Sequence, residues 1–219
     1  MVLIKIMIVA ASVTIALGYL VSRSVAQDVE VQSRSQNEQG FDRQISENAR
    51  RMMDQGKQIF RYDTFGDEVY WTDKLKLHHA IQGTRFGGVG AGVSPQNALA
   101  VGLKVDMDAL PQPLINQIKQ GKVNLDDPAT TLALIKLDAV LGVKGTLNPN
   151  GSLKAVGLTC AVCHSTVDDA FAPGIGRRLD GWSNQDLNVG AIVSLAPDLS
   201  ALTNLLGVDE ATVKTVLAS

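Results

Sequence analysis

Cysteine, aromatic residues and an excess of charge of either sign are all scarce in this chain of 219 residues. With only two cysteines, the chain has neither the disulfide framework of a small secreted scaffold nor the second pair of cysteines that a zinc site would need. Lys and Arg number 20 and Asp and Glu 22, so the charge predicts no nucleic-acid partner and no attraction to an anionic membrane surface. Aromatic residues make up 5%, which suits a small core completed by a large cofactor or a loop-rich domain.

The N-terminal residues are almost free of charge. Between Met1 and Val21 the only charged residue is Lys5, and an apolar run of about 16 residues ends before the small residues Ser24 and Ala26. The pattern predicts a secretory signal peptide over residues 1–26, and an uncleaved N-terminal membrane anchor is the alternative. Both interpretations predict a periplasmic or otherwise exported protein.

The rest of the chain divides into a polar segment and a longer patterned region. Residues 27–48 are polar and rich in Gln and Ser, which predicts a flexible segment. From residue 49 onward, apolar spacing, caps and prolines predict mainly α-helical structure. Six helices are expected, over residues 49–62, 64–82, 96–103, 112–120, about 127–140 and 209–219. A β-hairpin of residues 143–147 and 152–158 is predicted to lead directly into residue 160.

Both cysteines belong to one pentapeptide, Cys160-Ala161-Val162-Cys163-His164. In a C-x-x-C-H sequence the two thiols add to the two vinyl groups of haem, and the adjacent imidazole becomes the proximal ligand of the iron. The motif therefore predicts one covalently attached haem c, with iron bound by His164.

Three other interpretations of the motif remain open. An exported protein could join the same cysteines in a disulfide, or use them as a thioredoxin-type redox pair. The redox pair normally lies in a βαβ fold with Trp before the first Cys, whereas Thr159 stands there and no βαβ pattern is visible. A zinc site would need a second pair of ligands.

The second axial ligand is harder to identify, because no Met follows Met107. His78 is the first candidate, since helical spacing places it on the same inward face as Trp71, Leu75 and Ile81. His79, Met107, the pair Met52 and Met53, an open iron or a residue beyond Ser219 are the alternatives. Bis-His ligation would favour electron transfer, whereas an open iron would admit peroxide or another small ligand.

Haem propionates also need partners. Arg177, Arg178, Trp182 and Asn188 carry suitable donors shortly after the motif, although a solvated loop around one core Trp is an equally good interpretation.

Two longer strings resemble one bacterial family. Residues 59–68 (IFRYDTFGDE) and 157–168 (GLTCAVCHSTVD), continuing to RLDGW at 178–182, resemble bacterial c-type cytochromes loosely allied to di-haem cytochrome c peroxidases. The resemblance covers about residues 50–218. It implies a cytochrome c-like helical haem domain over residues 49–219, mono-haem binding and periplasmic electron transfer between redox protein partners. A single C-x-x-C-H departs from the two-haem peroxidases, so an electron carrier is expected rather than an enzyme, with a peroxidase-like enzyme or sensor as the alternative and no catalytic residue assigned.

Overall fold

The computed structural model describes residues 40–218. The predicted signal peptide or anchor, and the part of the predicted flexible segment before residue 40, lie outside the described residues. The described residues belong to two units, one of residues 40–56 and one of residues 57–218. Within residues 40–218, none of the helices combines the length and the apolar character that a membrane span requires.

Helix α1 (residues 40–62) begins earlier than the sequence pattern predicts. The expectation of a flexible segment is wrong for residues 40–48, which are helical. Arg43, Gln44 and Glu47 in this stretch are strong helix formers, and Arg43 and Glu47 lie one turn apart with 3.9 Å between guanidinium and carboxylate. Local helix propensity therefore continues upstream of the first clear apolar periodicity.

The second predicted helix is interrupted. A π-helical turn, Val69–Lys74, is followed by helix α2, Leu77–Gln82, and Lys76 between them adopts a left-handed φ of 55°. The backbone N–H of Leu75 bonds to the carbonyl of Tyr70, five residues back, at 3.0 Å. The side chains before and after Lys76 therefore do not continue on one helical face.

The later helices follow their sequence signals closely. Helices α3, α4 and α5 have proline at the N1 or N2 position, and Ser94 and Asp127 cap two of them. The predicted helix after Asp209 is confirmed, with Asp209 as its cap. The helices of this region are α3 (Pro95–Ala100), α4 (Gln112–Lys119), α5 (Pro128–Lys136), α6 (Ala161–His164), α7 (Val189–Ser194), α8 (Ser200–Leu206) and α9 (Glu210–Leu217), with 3₁₀ turns at Thr84–Phe86 and Met107–Ala109.

Three small two-stranded sheets complete the second unit. The predicted hairpin is confirmed: β2 (Val143–Leu147) pairs antiparallel with β3 (Leu153–Leu158). The other pairs are parallel β1 (Val105–Asp106) with β5 (Ile175–Gly176), and antiparallel β4 (Ser165–Val167) with β6 (Arg178–Asp180). The described residues are therefore mainly helical, as predicted.

The hairpin packs between the helices that carry most of the core. Its side chains join those of α2 and α5 in the larger buried cluster, which includes Leu77, Ile135 and Val156. The hydroxyl of Thr72 donates to the carbonyl of Val156 and accepts from its N–H, both at 2.8 Å, so the π-helical turn is fixed to β3. Strand β3 ends at Leu158, and the chain then enters the motif.

Candidate functional site

The motif forms a single helical turn with one buried and one exposed face. Cys160 precedes α6 as its N-cap residue, and Ala161 and Val162 are buried against the core. Cys160, Cys163 and His164 are all exposed, and both thiols are free. At 3.6 residues per turn these three positions lie within an arc of about 100°. Two thiols and an imidazole are therefore presented together to one side of the turn.

A close backbone contact places this turn. Gly142 has a φ of +72°, and a Cβ atom at this position would lie 2.1 Å from the backbone nitrogen of Val162. The Gly142 carbonyl accepts the N–H of Thr159 at 2.9 Å. Only glycine combines that φ with so close an approach, so residue 142 fixes how the motif enters the core.

The carbonyl end of α6 is capped by a distant loop. The N–H of Gly181 donates to the carbonyl of His164 at 2.9 Å, and the N–H of Asn184 to that of Cys163 at 2.8 Å. The Asn184 side chain donates to the carbonyl of Gly102 at 2.9 Å. A helix of one turn cannot satisfy its own last carbonyls, so the loop after β6 stabilises the motif.

A half-buried carboxylate lies beside the residue that follows His164. Asp180 accepts hydrogen bonds from Ser165 Oγ at 2.7 Å, Arg178 Nε at 2.5 Å and Arg61 Nε at 2.6 Å. Burial acts to raise the pKa of Asp180, but these hydrogen bonds and the charge of Arg178 outweigh it and lower that pKa overall. Asp180 thus joins the end of α1 to the strands β4 and β6 at the motif.

Arg178 retains donor capacity next to this carboxylate. Its side chain is 4% exposed, and its Nη2 atom has no hydrogen-bond partner among the described residues. A buried guanidinium nitrogen without an acceptor is costly. An added carboxylate, such as a haem propionate, has the chemistry to supply that acceptor, so the donor set at this position suits the cofactor that the sequence predicts.

A pocket of about 320 Å³ opens beside the two cysteines. Its walls are mostly apolar, and Phe65 and Val189 are 72% and 47% exposed. Large apolar side chains grouped around an opening are typical of a surface that contacts a ligand or a partner. The apolar residues of the wall include Phe65, Trp71, Leu158, Leu187, Val189 and Ile192.

Among the described residues, Asp67 is the charged side chain in this wall. Its carboxylate accepts the Trp71 Nε1–H at 2.8 Å and the Leu158 N–H at 3.0 Å. Burial raises the pKa of Asp67, although both hydrogen bonds oppose the rise. The carboxylate therefore holds the tryptophan against the end of β3 beside the motif.

His78 is buried as predicted, but the structure does not bring it to the motif. It lines a different pocket of about 510 Å³, together with residues of the hairpin turn such as Asn150 and with Leu153 at the start of β3. Its Nδ1 atom has no partner among the described residues, and burial, aided by the charges of His79 and Lys76, lowers its pKa to about 4. The expected common face of His78 with Trp71 and Leu75 is wrong, because the chain breaks at Lys76.

The other candidate ligands also lie elsewhere. Met107 lines a small apolar cavity with Phe171, and Met52 and Met53 are exposed on α1. Among the described residues, the pocket beside the cysteines has no His or Met in its wall. The sequence-predicted second ligand is therefore not part of this site.

The predicted propionate donors separate into different environments. Arg178 lies beside the motif as described, whereas Arg177 is exposed and pairs loosely with Asp108 at 3.9 Å. Trp182 is exposed in the loop that caps α6. Asn188 caps helix α7 by accepting the N–H of Ala191 at 2.8 Å. Three residues that stabilise the motif were not singled out from the sequence: Arg61, Asp180 and Asn184.

Comparison with known proteins adds no further assignment. No protein-family model, no curated protein and no solved structure matches the chain. Within residues 40–218, no group of three or more His, Cys, Asp or Glu side chains is arranged to hold a metal ion by itself.

Proposed function

We propose that the chain is an exported c-type cytochrome that binds one haem covalently and passes single electrons between redox protein partners. Cys160 and Cys163 carry the thioether bonds, and His164 is the proximal iron ligand. The domain is proposed to be a cytochrome c-like haem domain. A secretory signal over residues 1–26 would deliver it to the periplasm, or would anchor it to the membrane if uncleaved.

One observation supports this proposal above all. The turn Cys160–His164 directs both thiols and the imidazole to its exposed face, while Ala161 and Val162 hold the opposite face in the core. Haem c attachment needs these three groups on the same side. A thiol redox pair would need the cysteines but gives no role to His164.

The chain's own residues supply the environment of the cofactor. Bound haem would supply a one-electron iron couple. Gly181 and Asn184 hold the backbone of Cys163 and His164, and Asp180 holds Ser165, so the imidazole is attached to a rigid turn. Arg178 Nη2 would donate to a propionate. Phe65 and Val189 would exclude water from part of the haem edge and offer an apolar contact to a redox partner.

A specific observation favours a second candidate function. Among the described residues, no His or Met lines the pocket at the cysteines. An iron without a second protein ligand binds small molecules, as in a haem sensor or a peroxidase-like enzyme. Peroxidase chemistry would also require an acid/base group on the open side, and among the described residues Asp67 is the carboxylate in that wall.

Production of the full chain in a host that matures c-type cytochromes tests the proposal. The intact mass should include one haem adduct, and the reduced protein should show a Soret band. The variants Cys160→Ser and Cys163→Ser should each lose one of the two thioether bonds, while Ser165→Ala, which leaves both thiols in place, should keep them. A mass without haem and no Soret band would overturn the proposal and would leave the thiol redox pair.

Carbon monoxide separates the two candidate functions. A six-coordinate carrier should keep its reduced spectrum for minutes after addition of the gas, whereas an open iron should show a rapid Soret shift. A rapid shift would therefore replace the carrier by the sensor or enzyme.

A further inference from the structure

The core behind the motif contains a second, smaller cavity. Its volume is about 50 Å³, and its walls come from helices α2, α3 and α5 and from the hairpin. Among the described residues, no polar atom contributes to its surface. Protein cores are packed closely enough that voids of this size are few, so the cavity is a specific feature of this core.

The cavity adjoins the pocket beside the cysteines. Leu158, Val162 and Ile192 line both spaces, so a wall of single side chains separates them. Val162 is itself the second residue between the two cysteines. Leu195 also lines the cavity and is 41% exposed, so part of this space lies near solvent.

Water is a poor occupant of this space. A cavity needs only about 10–15 Å³ to hold one water molecule, but the water also needs two to four polar partners. The lining includes one polar side chain, Thr131, whose hydroxyl lacks a partner among the described residues but does not reach the cavity surface, and one hydroxyl is fewer than a water needs. Apolar cavities stay dry, and they bind apolar guests such as xenon because dispersion contacts are gained without loss of hydrogen bonds.

We propose that this cavity binds one small nonpolar molecule, of the class of dioxygen or nitric oxide, immediately behind the motif turn. Binding is noncovalent, and no bond forms or breaks. It does not require haem, so the site stands independently of the function proposed above. In a protein that carries haem, the cavity would hold a gas molecule one side chain away from the haem pocket.

Xenon is the probe for this site. The full chain, as purified, should show xenon-dependent shifts of methyl NMR signals confined to the side chains that line the cavity. The shifts should saturate as for one site. Absence of shifts under xenon pressure, or a crystal structure with ordered water or a haem ring in this space, would overturn the assignment.

Matched variants locate the binding. Ala98→Val adds two methyl groups at the cavity wall and should weaken xenon binding by about tenfold or more. Ala196→Val makes the same change in the separate small core with Val193 and Leu199, and should leave the affinity unchanged. Equal effects of both variants would contradict the assignment.

A third variant keeps the proposal testable if Ala98→Val fails to fold. Ile135→Val removes one methyl group from the wall and should strengthen xenon binding. An unchanged or weaker affinity in Ile135→Val would count against the site. Because xenon binding is measured directly, a chain without haem that binds xenon would refute only the cytochrome proposal, whereas a haem protein that does not bind xenon would refute only this one.

Discussion

Strand β3 separates two regions that each contain histidine, one in a pocket and one on the exposed motif turn. At its first residue, Leu153, lies the larger pocket with His78 and His79, whose ring centroids are 4.0 Å apart. Just beyond its last residue, Leu158, lies the motif, with exposed thiols and His164. A strand of this length spans roughly 16 Å, so one iron cannot be ligated from both ends in this arrangement.

The two ends of β3 also differ in whether their polar side chains are engaged in hydrogen bonds. In the larger pocket, Gln82 Oε1 accepts the N–H of Leu153 at 2.9 Å and Gln82 Nε2 lies 3.4 Å from His79 Nδ1, so these groups hold the hairpin to α2. At the motif the backbone is held by its neighbours while the side chains of the cysteines remain free. Burial of a histidine therefore indicates a role in the core as readily as a role in ligation.

The largest expected effect tests which of the two histidines binds the iron. His164→Ala should reduce the yield of haem protein by about tenfold or more, because the proximal ligand is lost. His78→Ala should leave haem content and the oxidised spectrum unchanged. Both are measured by absorption at equal protein concentration. A changed spectrum in His78→Ala, together with an unchanged haem yield in His164→Ala, would place the iron ligand at the His78 end of β3 instead.

Substitution of two glycines, one near each end of β3, tests how tightly the backbone is packed there. Gly142→Ala should destabilise the protein by about 4 kcal/mol or more, because the added Cβ would collide with the backbone of Val162. Gly151 lies in the hairpin turn with a similar φ of +83° and no atom within 4 Å of an added Cβ. Gly151→Ala should cost only about 1–2 kcal/mol from the left-handed backbone. Urea unfolding measures both, and equal costs would show that the contact with Val162 is unimportant.

Asp180 tests the charged support of the motif. Asp180→Asn should destabilise the protein by about 2–3 kcal/mol at neutral pH, because Arg61 and Arg178 lose a shared anion. Since folding lowers the pKa of Asp180, its contribution is complete above the unfolded pKa of about 3.9 and disappears as the pH falls through the lower folded value.

Urea unfolding at a series of pH values provides the readout. The curves of the wild type and of Asp180→Asn should approach each other as the pH falls below the unfolded pKa of about 3.9. Glu210→Gln, which breaks an exposed pair with Lys214, is the control and should change stability by less than about 0.5 kcal/mol. A constant difference at all pH values would contradict an ionic role for Asp180.

The buried histidine gives the opposite pH signature. His78 is neutral in the folded state because burial lowers its pKa from 6.5 to about 4. Between these values the unfolded chain binds the extra proton, so stability should fall as the pH decreases from about 6.5 to 4, by about 2 kcal/mol. His78→Phe should lack this part of the slope. Parallel pH profiles for the wild type and the variant would show that His78 is not buried in its neutral form.

Local signals in the sequence were sufficient for the elements that position the site. The turn residues 148–151 predict the β2–β3 hairpin, and the prolines before α4 and α5 predict their starts, because these features act within a few residues. The C-x-x-C-H spacing likewise needs only one helical turn to bring its three side chains to one face.

Contacts over long sequence separations could not be predicted in this way. The break at Lys76 accompanies the two hydrogen bonds between Thr72 and Val156, 84 positions apart, and it overturns the helical face on which the assignment of His78 depended. Arg61 and Asp180 are 119 positions apart and each is unremarkable alone.

The smallest expected effect concerns Arg177 and Arg178, two neighbouring arginines that the sequence pattern predicts to have the same role. Arg177→Ala should change stability by less than about 0.5 kcal/mol, since its pair with Asp108 is exposed and 3.9 Å long. Arg178→Ala should cost more and should also shift the midpoint potential of a bound haem, because its buried guanidinium lies beside Asp180 and retains a free donor. Urea unfolding and a redox titration measure the two effects. Equal shifts in potential for both variants would show that burial beside the motif does not distinguish Arg178 from its exposed neighbour.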